Sequence, residues 1–361
     1  MLLNLAAERR VLFVGGKGGV GKTVVASALA LGQARAGRHV LVVSTDPAHN
    51  LGHLWGRAVG DRRTQLAQAP GGRLDGLEID PGRTTEEHLA AVRTTMRRFM
   101  PEHLAGEVDR HLQLARDAPG THEAAILERI AETLETGLEE YDLVVFDTAP
   151  SGHTARLMAL PETMSAWTDG LLRRQQRSSR FGAAMRRLDP DDGAAELLGG
   201  RRRTRHDGTG GTDDPGGPDD KAGAPPGKAD RDAELRRILE RRRARFVRMR
   251  EVMLDGDRTS FVIVLVAERV PVLETVELHG QLARTGVDVG ALVVNRRSPT
   301  GAGELLAERH RLEATHLAHV RRELPGVPVV ELPLLAGDVL GEPGVARLAA
   351  EVGGTAHDAR Q

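Results

Sequence analysis

One glycine-rich segment near the start of the chain holds the residues whose types and spacing point most clearly to chemistry. Residues 15–23 contain the pattern Gly-x-x-x-x-Gly-Lys-Thr, which is typical of a phosphate-binding loop. Glycines in such a loop let backbone N–H groups surround phosphate oxygens at the N-terminus of a helix. We predict that Lys22 neutralises the β and γ phosphates of ATP and that the Thr23 hydroxyl is a Mg²⁺ ligand. The predicted nucleotide-binding residues of this segment are Gly15, Gly16, Lys17, Gly18, Gly19, Val20, Gly21, Lys22, Thr23 and Val24.

Lys17 adds a second lysine to this loop, in a chain that otherwise relies on arginine. The 50 basic residues include four lysines, and two of those four are Lys17 and Lys22. A lysine ammonium is a compact point charge that fits between phosphate oxygens, whereas the guanidinium of arginine is a wide planar fork. A chain that otherwise uses arginine therefore has a physical reason to place lysine in this loop, although chance could also place it there.

Two aspartates follow apolar runs that are typical of buried strands. Residues 40–44 lead to Asp46, and residues 143–146 lead to Asp147. Open α/β sheets bind ligands at the carboxyl ends of their strands. A single aspartate at such a position is more often a helix cap or a turn residue, but two of them beside a phosphate-binding loop favour catalysis. We predict that Asp46 orients or deprotonates the attacking water and that Asp147 holds Mg²⁺ through a water molecule.

The order of the predicted elements indicates the fold class. Apolar runs separated mostly by helical patterns predict strands at residues 11–14, 40–44, 77–79, 143–146, 261–266, 291–294 and 327–332. Strands that alternate with helices form a parallel sheet with both faces covered. We therefore predict an α/β fold, with a mostly parallel, doubly wound sheet of the phosphate-loop NTPase type.

Two long stretches interrupt the alternation. Residues 84–137 have a helical pattern, and residues 154–254 read as a helix, a polar run and a second helix. The polar run at 199–230 is rich in Gly, Pro, Asp and Arg, and its few apolar residues cannot offset the entropy of ordering, so we predict a flexible loop. The sequence thus predicts one ATPase domain over residues 1–361, with helical subdomain elements at about 84–137 and 154–254.

Composition excludes several classes of protein. The chain has no cysteine, which removes disulfides, thiolate metal sites and iron–sulfur clusters. Its longest apolar run is too short to cross a bilayer and its first residues do not form a secretory signal, so we expect a cytoplasmic protein. A net charge of −1 and 2% aromatic residues do not favour a specific nucleic-acid surface.

Several longer segments resemble one family. These are STDPAHNL at residues 44–51, EIDP at 78–81, FDTAPSGHTARLMALP at 146–161, the loop with Lys17, and VNR around Asn295. Together they are similar to the family of the arsenite-pump ATPase and the tail-anchored-protein-targeting ATPase, within the deviant-Walker group of phosphate-loop proteins. The resemblance spans most of the chain.

The resemblance implies a homodimer whose two subunits share their nucleotide sites. It implies that Lys17 crosses the two-fold interface to the partner's phosphates, that Asp46 positions the hydrolytic water and that Asn295 hydrogen-bonds adenine. Pro333 is similar in position to a late loop beside the base, and Glu268 resembles a residue that approaches the partner's nucleotide. Members of this family couple nucleotide state to opening and closing of the dimer.

The chain departs from the family at its cysteines. The eukaryotic targeting ATPases clamp their dimer with zinc on a Cys-x-x-Cys pair, and the arsenite pumps capture the metalloid with cysteines, but this chain has none. We therefore expect no zinc, and both specific activities lose support. After Leu51 the family often has Ser-Asp, where this chain has Gly52 and His53.

Two segments suggest partners beyond the second subunit. Methionine and aromatic residues of the helical stretches would suit a hydrophobic protein client or a membrane-protein partner, although the same residues would also suit the stretches' own core. Residues 173–250 contain 21 basic and 13 acidic residues, which would suit an anionic surface or a solvated flank. An alternative function is a nucleotide-dependent binding switch on a membrane or DNA surface, as in the septum-positioning and partitioning ATPases.

Overall fold

Eight strands and ten helices make up most of the chain that the structure describes. This computed structural model describes residues 1–46, 50–99, 105–116, 121–148 and 228–354. The strands are β1 (Val11–Gly16), β2 (His39–Ser44), β3 (Thr64–Ala69), β4 (Gly72–Glu78), β5 (Leu143–Asp147), β6 (Thr259–Val266), β7 (Val289–Arg297) and β8 (Val329–Pro333). The helices are α1 (Leu2–Glu8), α2 (Lys22–Arg35), α3 (Asn50–Trp55), α4 (Pro81–Phe99), α5 (Ala105–Arg116), α6 (Thr121–Glu140), α7 (Lys228–Leu254), α8 (Arg269–Thr285), α9 (Glu304–Glu323) and α10 (Gly341–Gly354).

All eight strands form one sheet in the order β3-β4-β2-β5-β1-β6-β7-β8. Every neighbouring pair is parallel except β3 and β4, which are antiparallel. Each strand predicted from an apolar run is present. The edge strand β3 was missed because its sequence, TQLAQA, is half polar and buries only Leu66 and Ala67.

Side chains on alternate strand positions pack into two hydrophobic layers, one on each face of the sheet. On β1, Leu12 and Val14 belong to the layer formed with α1, α2 and α10, whereas Val11 and Phe13 belong to the other layer. The second layer includes α6, α8, α9 and Phe246 near the C-terminal end of α7. Burial on both faces is the reason that the central strands are continuously apolar. The structure thus confirms the predicted mostly parallel, doubly wound α/β fold.

The helical stretch predicted at 84–137 contains α4, α5 and α6. Of the stretch predicted at 154–254, residues 154–227 lie outside the described residues, so the first predicted helix and most of the predicted loop are not described. The second predicted helix is α7, which begins at Lys228. Contacts divide the chain into two units, residues 1–165 with 243–361, and residues 166–242, of which only part of α7 is described. The division into one ATPase domain with helical subdomain elements stays a prediction.

Three phenylalanines stack on adjacent strands directly before the glycine-rich loop. The ring centroid of Phe13 on β1 lies 5.0 Å from that of Phe146 on β5 and 6.4 Å from that of Phe261 on β6, with nearly parallel planes. All three rings are buried. Stacked aromatic pairs add to the large area that each ring removes from water. The three rings therefore fix the relative positions of the strands that carry the loop and Asp147.

Replacing the central ring should destabilise the protein without removing any polar group. We expect Phe13→Ala to lower the free energy of unfolding by about 3–5 kcal/mol, because it leaves a cavity between two other rings. Urea unfolding followed by circular dichroism measures this change. Leu312→Ala is the matched control, since Leu312 is 59% exposed. Equal midpoints for the two variants would contradict the role of the stack.

Candidate functional site

The phosphate-binding loop leaves β1 at the carboxyl edge of the sheet, where two glycines lie against β6. Gly16 has φ of +146°, and a Cβ atom there would lie 2.1 Å from the carbonyl oxygen of Val264. A Cβ atom on Gly15 would lie 2.3 Å from the ring of Phe261. A side chain at either position would displace a neighbouring strand. Glycine is thus required at both positions for the loop to leave the sheet at this point.

Asn295, near the end of β7, holds the far side of the loop. Its Nδ2 donates a hydrogen bond of 2.9 Å to the carbonyl oxygen of Val20, and its Oδ1 accepts one of 3.0 Å from the backbone N–H of Arg296. Arg296 has φ of +58°, in the left-handed region that non-glycine residues rarely adopt. A side-chain amide has two N–H donors and two acceptor lone pairs. Asn295 therefore has one amide N–H and one oxygen lone pair that form no hydrogen bond with a described residue.

Lys22 is the first residue of α2, and its ammonium points back into the loop. The Nζ atom donates a hydrogen bond of 3.0 Å to the carbonyl oxygen of Lys17. Burial lowers the pKa of Lys22, and the charges of Asp147 and Asp46 oppose this shift. A buried cation that donates its hydrogen bond to one backbone carbonyl is suited to bind an anion, because a negative ligand offsets the cost of its desolvation.

Asp147 is the most constrained acid of the site. Its carboxylate is fully buried, and its Oδ2 accepts hydrogen bonds of 2.6 Å from the Thr23 hydroxyl and 3.4 Å from the Ser44 hydroxyl. Its Oδ1 is buried and accepts no hydrogen bond from any described residue. Burial raises the pKa of Asp147 to about 7, although Thr23 and Lys22 act in the opposite direction. An unsatisfied carboxylate oxygen next to a threonine hydroxyl is a donor set that suits a hard cation such as Mg²⁺.

Asp46 lies beside this cluster, at the end of β2. Its backbone N–H donates a hydrogen bond of 3.3 Å to the Ser44 hydroxyl, and its Oδ2 accepts one of 3.2 Å from the Asn50 amide. Its charge acts on both Lys22 and Asp147. The carboxylate is only partly buried, so it is accessible to water. Residues 47–49, which follow it in the STDPAHNL segment, lie outside the described residues.

Glu78 anchors the segment that follows Asp46. The carboxylate is buried, and its Oε1 accepts hydrogen bonds of 2.9 Å from the N–H of Leu51 and 3.4 Å from the N–H of Gly52, in the first turn of α3. A Cβ atom on Gly52 would lie 2.9 Å from the carbonyl oxygen of Arg57, so glycine permits this close approach. No role was predicted for Glu78 or Ser44 from the sequence. The feature of the sequence that could have indicated a role is their position at the carboxyl ends of β4 and β2.

The remaining predicted site residues have partners within the same chain or lie at the edge of the site. The ammonium of Lys17 lies 2.9 Å from Oε1 of Glu274 on α8. Glu268, which precedes α8, pairs with Arg309 on α9 at 2.9 Å. Pro333 ends β8 next to Arg297 of β7 and is exposed. The structure thus brings Lys22, Thr23, Asp46, Asp147 and Asn295 around one loop. The side chain of Lys17 points away from that cluster to Glu274, and Glu268 and Pro333 lie outside it.

Within the described ranges, no three His, Asp or Glu side chains are grouped as a metal site would require. None of the helices in those ranges combines the length and apolarity needed to cross a membrane.

Comparison with known proteins agrees with this geometry. The sequence model of the anion-transporting ATPase (ArsA) family matches residues 9–195 and 224–353. ATPase GET3B of Arabidopsis thaliana is 29% identical over 355 residues, which cover 93% of this chain and 77% of that protein. ATPase get3 of Aspergillus terreus is 30% identical over 338 residues, which cover 92% of this chain and 87% of that protein. The family match spans most of the chain, and the chain therefore belongs to the anion-transporting ATPase family and is an ATPase.

Proposed function

We propose that the protein is a homodimeric Mg-ATPase in which each subunit supplies Lys17 to the nucleotide of the other. The observation that carries the proposal is the hydrogen bond from Thr23 to Asp147, whose second carboxylate oxygen is buried and accepts no hydrogen bond from a described residue. This pair lies between the loop that would bind the phosphates and the strand end that carries Asp46. The cluster combines the parts that phosphoryl transfer to water requires.

The loop would bind ATP through its backbone and two side chains. Lys22 would exchange its hydrogen bond with the carbonyl oxygen of Lys17 for phosphate oxygens. Asn295 would hydrogen-bond adenine with its remaining donor and acceptor while it keeps its bond to Val20. The Asn295 side chain would thus contact both the base and the phosphate-binding loop. This fixes the nucleotide so that the γ-phosphate is held in place for reaction.

Thr23 and Asp147 would hold the magnesium ion, with Asp147 acting through a water molecule. The bound ion would neutralise charge on the β and γ phosphates. Asp147 must be ionised to do this, and Lys22 and the hydroxyls of Thr23 and Ser44 all favour its charged form. The buried oxygen that is unsatisfied among the described residues would then have a partner.

Asp46 would orient the attacking water. Its hydrogen bonds to the Ser44 hydroxyl and the Asn50 amide fix the end of β2 and one oxygen of the carboxylate. The partly buried carboxylate retains acceptor capacity for a water O–H. Because β2 and β5 are adjacent strands, this water would lie close to the γ-phosphate bound beside Asp147.

The proposal of a homodimer rests on Lys17 and on the surface around it. The ammonium lies on the outside of the loop, against Glu274, rather than in the cluster around Lys22 and Asp147. Val270, one helical turn before Glu274 on α8, is an exposed apolar residue, and so is Leu273 on the adjoining face of the helix. A second subunit that covers this surface would bury these apolar groups and bring its own nucleotide to Lys17.

We also propose that nucleotide state is coupled to a client through α6 and α7. Helix α6 leads directly into β5 and Asp147, and the C-terminal end of α7 leads into β6. A small apolar cavity separates these helices from the strand ends, and its lining residues include Thr45, Thr148, Leu127, Ile130, Phe146 and Met249. Movement of the β2 and β5 ends on ATP binding could be transmitted across this cavity. A hydrophobic client or a membrane-protein partner at the helical stretches would respond to that movement.

A membrane-binding or DNA-binding switch has less support. A late helix that inserts into a membrane needs a free apolar face. The apolar residues of α10, which include Val345, Leu348 and Val352, are buried in the core instead. Most of the basic segment at 173–250 lies outside the described residues.

The roles of Lys17 and Asp46 can be tested by substitution. We expect Lys17→Ala and Asp46→Asn each to lower kcat for ATP hydrolysis by about 10²-fold or more, since each removes a group that acts on transition-state charge or water position. Each variant should still bind ATP, which fluorescence with a labelled nucleotide would measure. Asp257→Asn is the control, because it makes the same change at an exposed position at the opposite edge of the sheet. Turnover within a few-fold of wild type in either variant would contradict its assigned role.

The burial of Asp147 predicts how stability depends on pH. Its pKa is raised to about 7 from an ordinary value of 3.8, so the folded protein retains a proton there that the unfolded chain releases. The stability that this proton contributes is full below pH 3.8 and is lost as pH rises towards about 7. Without nucleotide or metal, the melting temperature of the wild type should therefore fall relative to Asp147→Asn between pH 5 and pH 7. Parallel melting curves for the two proteins across that interval would contradict a buried, raised-pKa carboxyl group.

A further inference from the structure

Lys17, the lysine proposed to act on the partner's nucleotide, is paired with an acid of its own subunit. Its Nζ donates a hydrogen bond of 2.9 Å to Oε1 of Glu274, which is 257 positions away in the sequence. The two side chains are 38% and 37% exposed, so the pair is partly open to solvent. No other hydrogen bond of the Lys17 side chain is formed with a described residue. Glu274 thus determines where the ammonium lies in the isolated subunit.

The surroundings of the Glu274 carboxylate favour its ion pair with Lys17. The carboxylate projects from the second turn of α8, and its Oε2 is buried without a hydrogen bond to any described residue. An ionised carboxylate with one desolvated oxygen is stabilised by a nearby cation and destabilised when that cation leaves. Movement of Lys17 to another anion therefore has an energetic cost at Glu274.

We infer that Glu274 is a positioning residue that holds Lys17 within its own subunit until the triphosphate of a second subunit competes for the ammonium. The inference rests on the proposed homodimer. Within one subunit, Lys17 satisfies Glu274, and within a closed dimer it would satisfy phosphate oxygens instead. The pair would therefore oppose association of two subunits into the closed dimer in the absence of ATP.

The exposure of the pair sets the size of the effect. Partly exposed ion pairs contribute little, because water and salt screen them, so each pair should shift the equilibrium between separate subunits and the closed dimer by about fivefold or less. The two pairs of a homodimer should then shift it by about 25-fold or less. A restraint of that size can be overcome by the several charged oxygens of a triphosphate. Glu274 would adjust the concentration at which dimers form without preventing their formation.

ATPase activity as a function of protein concentration tests this role. We expect Glu274→Gln, which removes the charge and retains the shape, to lower the half-saturating protein concentration by about two- to 25-fold, because each dimer loses two pairs. Glu274→Gln should change that concentration and leave unchanged the limiting ATPase rate at high protein concentration. Glu277→Gln is the matched control, since Glu277 lies on the same helix, is exposed and accepts a hydrogen bond of 3.1 Å from Gln281. An unchanged half-saturating concentration, or a lower limiting rate, in Glu274→Gln would overturn the inference.

A spectroscopic measurement follows Lys17 itself. The chain has four lysines, so NMR of protein labelled with ¹³C- and ¹⁵N-lysine should give few side-chain signals, and Lys17→Arg identifies the relevant one. Without nucleotide, Glu274→Gln should shift the Lys17 signal and Glu277→Gln should not. Mg-AMP-PNP should then shift that signal in the wild type. If Glu274→Gln leaves the signal unchanged, the pair does not form in solution and the inference fails.

Failure of the inference can be distinguished from failure of the proposed function. If Lys17→Ala abolishes hydrolysis but Glu274→Gln behaves like wild type, only the role of Glu274 is wrong. If Lys17→Ala retains hydrolysis and Mg-AMP-PNP leaves the Lys17 signal unchanged, the lysine does not act on a partner's nucleotide. In that case the proposed function fails as well.

Discussion

A carboxylate buried beside a buried lysine is the constraint on which the rest of the site depends. Asp147 lies at the end of the central strand β5, with one oxygen bound by hydroxyls and the other buried with no hydrogen bond from a described residue. Burial disfavours its charged form, and Thr23 and Lys22 favour it. Ionisation of both Asp147 and Lys22 in this position is costly without further partners, and an anionic ligand together with a cation would satisfy both. Glycines 15 and 16 and the stack around Phe13 give the loop and the strand the close approach that this arrangement requires.

The second lysine of the loop differs from Lys22 in its surroundings. Lys22 is buried among backbone groups of the loop, whereas Lys17 is partly exposed and paired with Glu274. A buried lysine in this position is suited to bind a resident phosphate, and an exposed one held by a weak ion pair is suited to change partners. We propose that the two lysines have different roles. Lys22 binds the phosphates within its own subunit, and Lys17 completes the site of the partner. Glu274 then acts together with Lys17, because their ion pair sets the free-energy cost of moving the lysine to another anion.

The site residues that could be predicted from the sequence belong to local motifs. The site residues that were missed depend on contacts between segments that are distant in the sequence. The loop spacing, the apolar runs before Asp46 and Asp147, and the alternation of strands and helices were sufficient to predict the fold class. The edge strand β3 was missed because it is short and half polar. The anchor at Glu78 and the partner of Lys17 were missed for another reason. Each joins segments that only the folded sheet brings together, and an isolated glutamate on a helix or at a strand end has no distinctive spacing.

The most direct test of a shared site is to mix two inactive variants. Lys17→Ala would retain Asp46 but supply no lysine to its partner, and Asp46→Asn would supply the lysine but position no water. If Lys17 acts between subunits, each mixed dimer has one complete site. An equimolar mixture that exchanges subunits freely should then recover about one quarter of wild-type turnover, since about half of the dimers are mixed and each has one active site of two. Turnover no greater than that of the separate variants, in a mixture shown by native mass spectrometry to contain mixed dimers, would contradict the account.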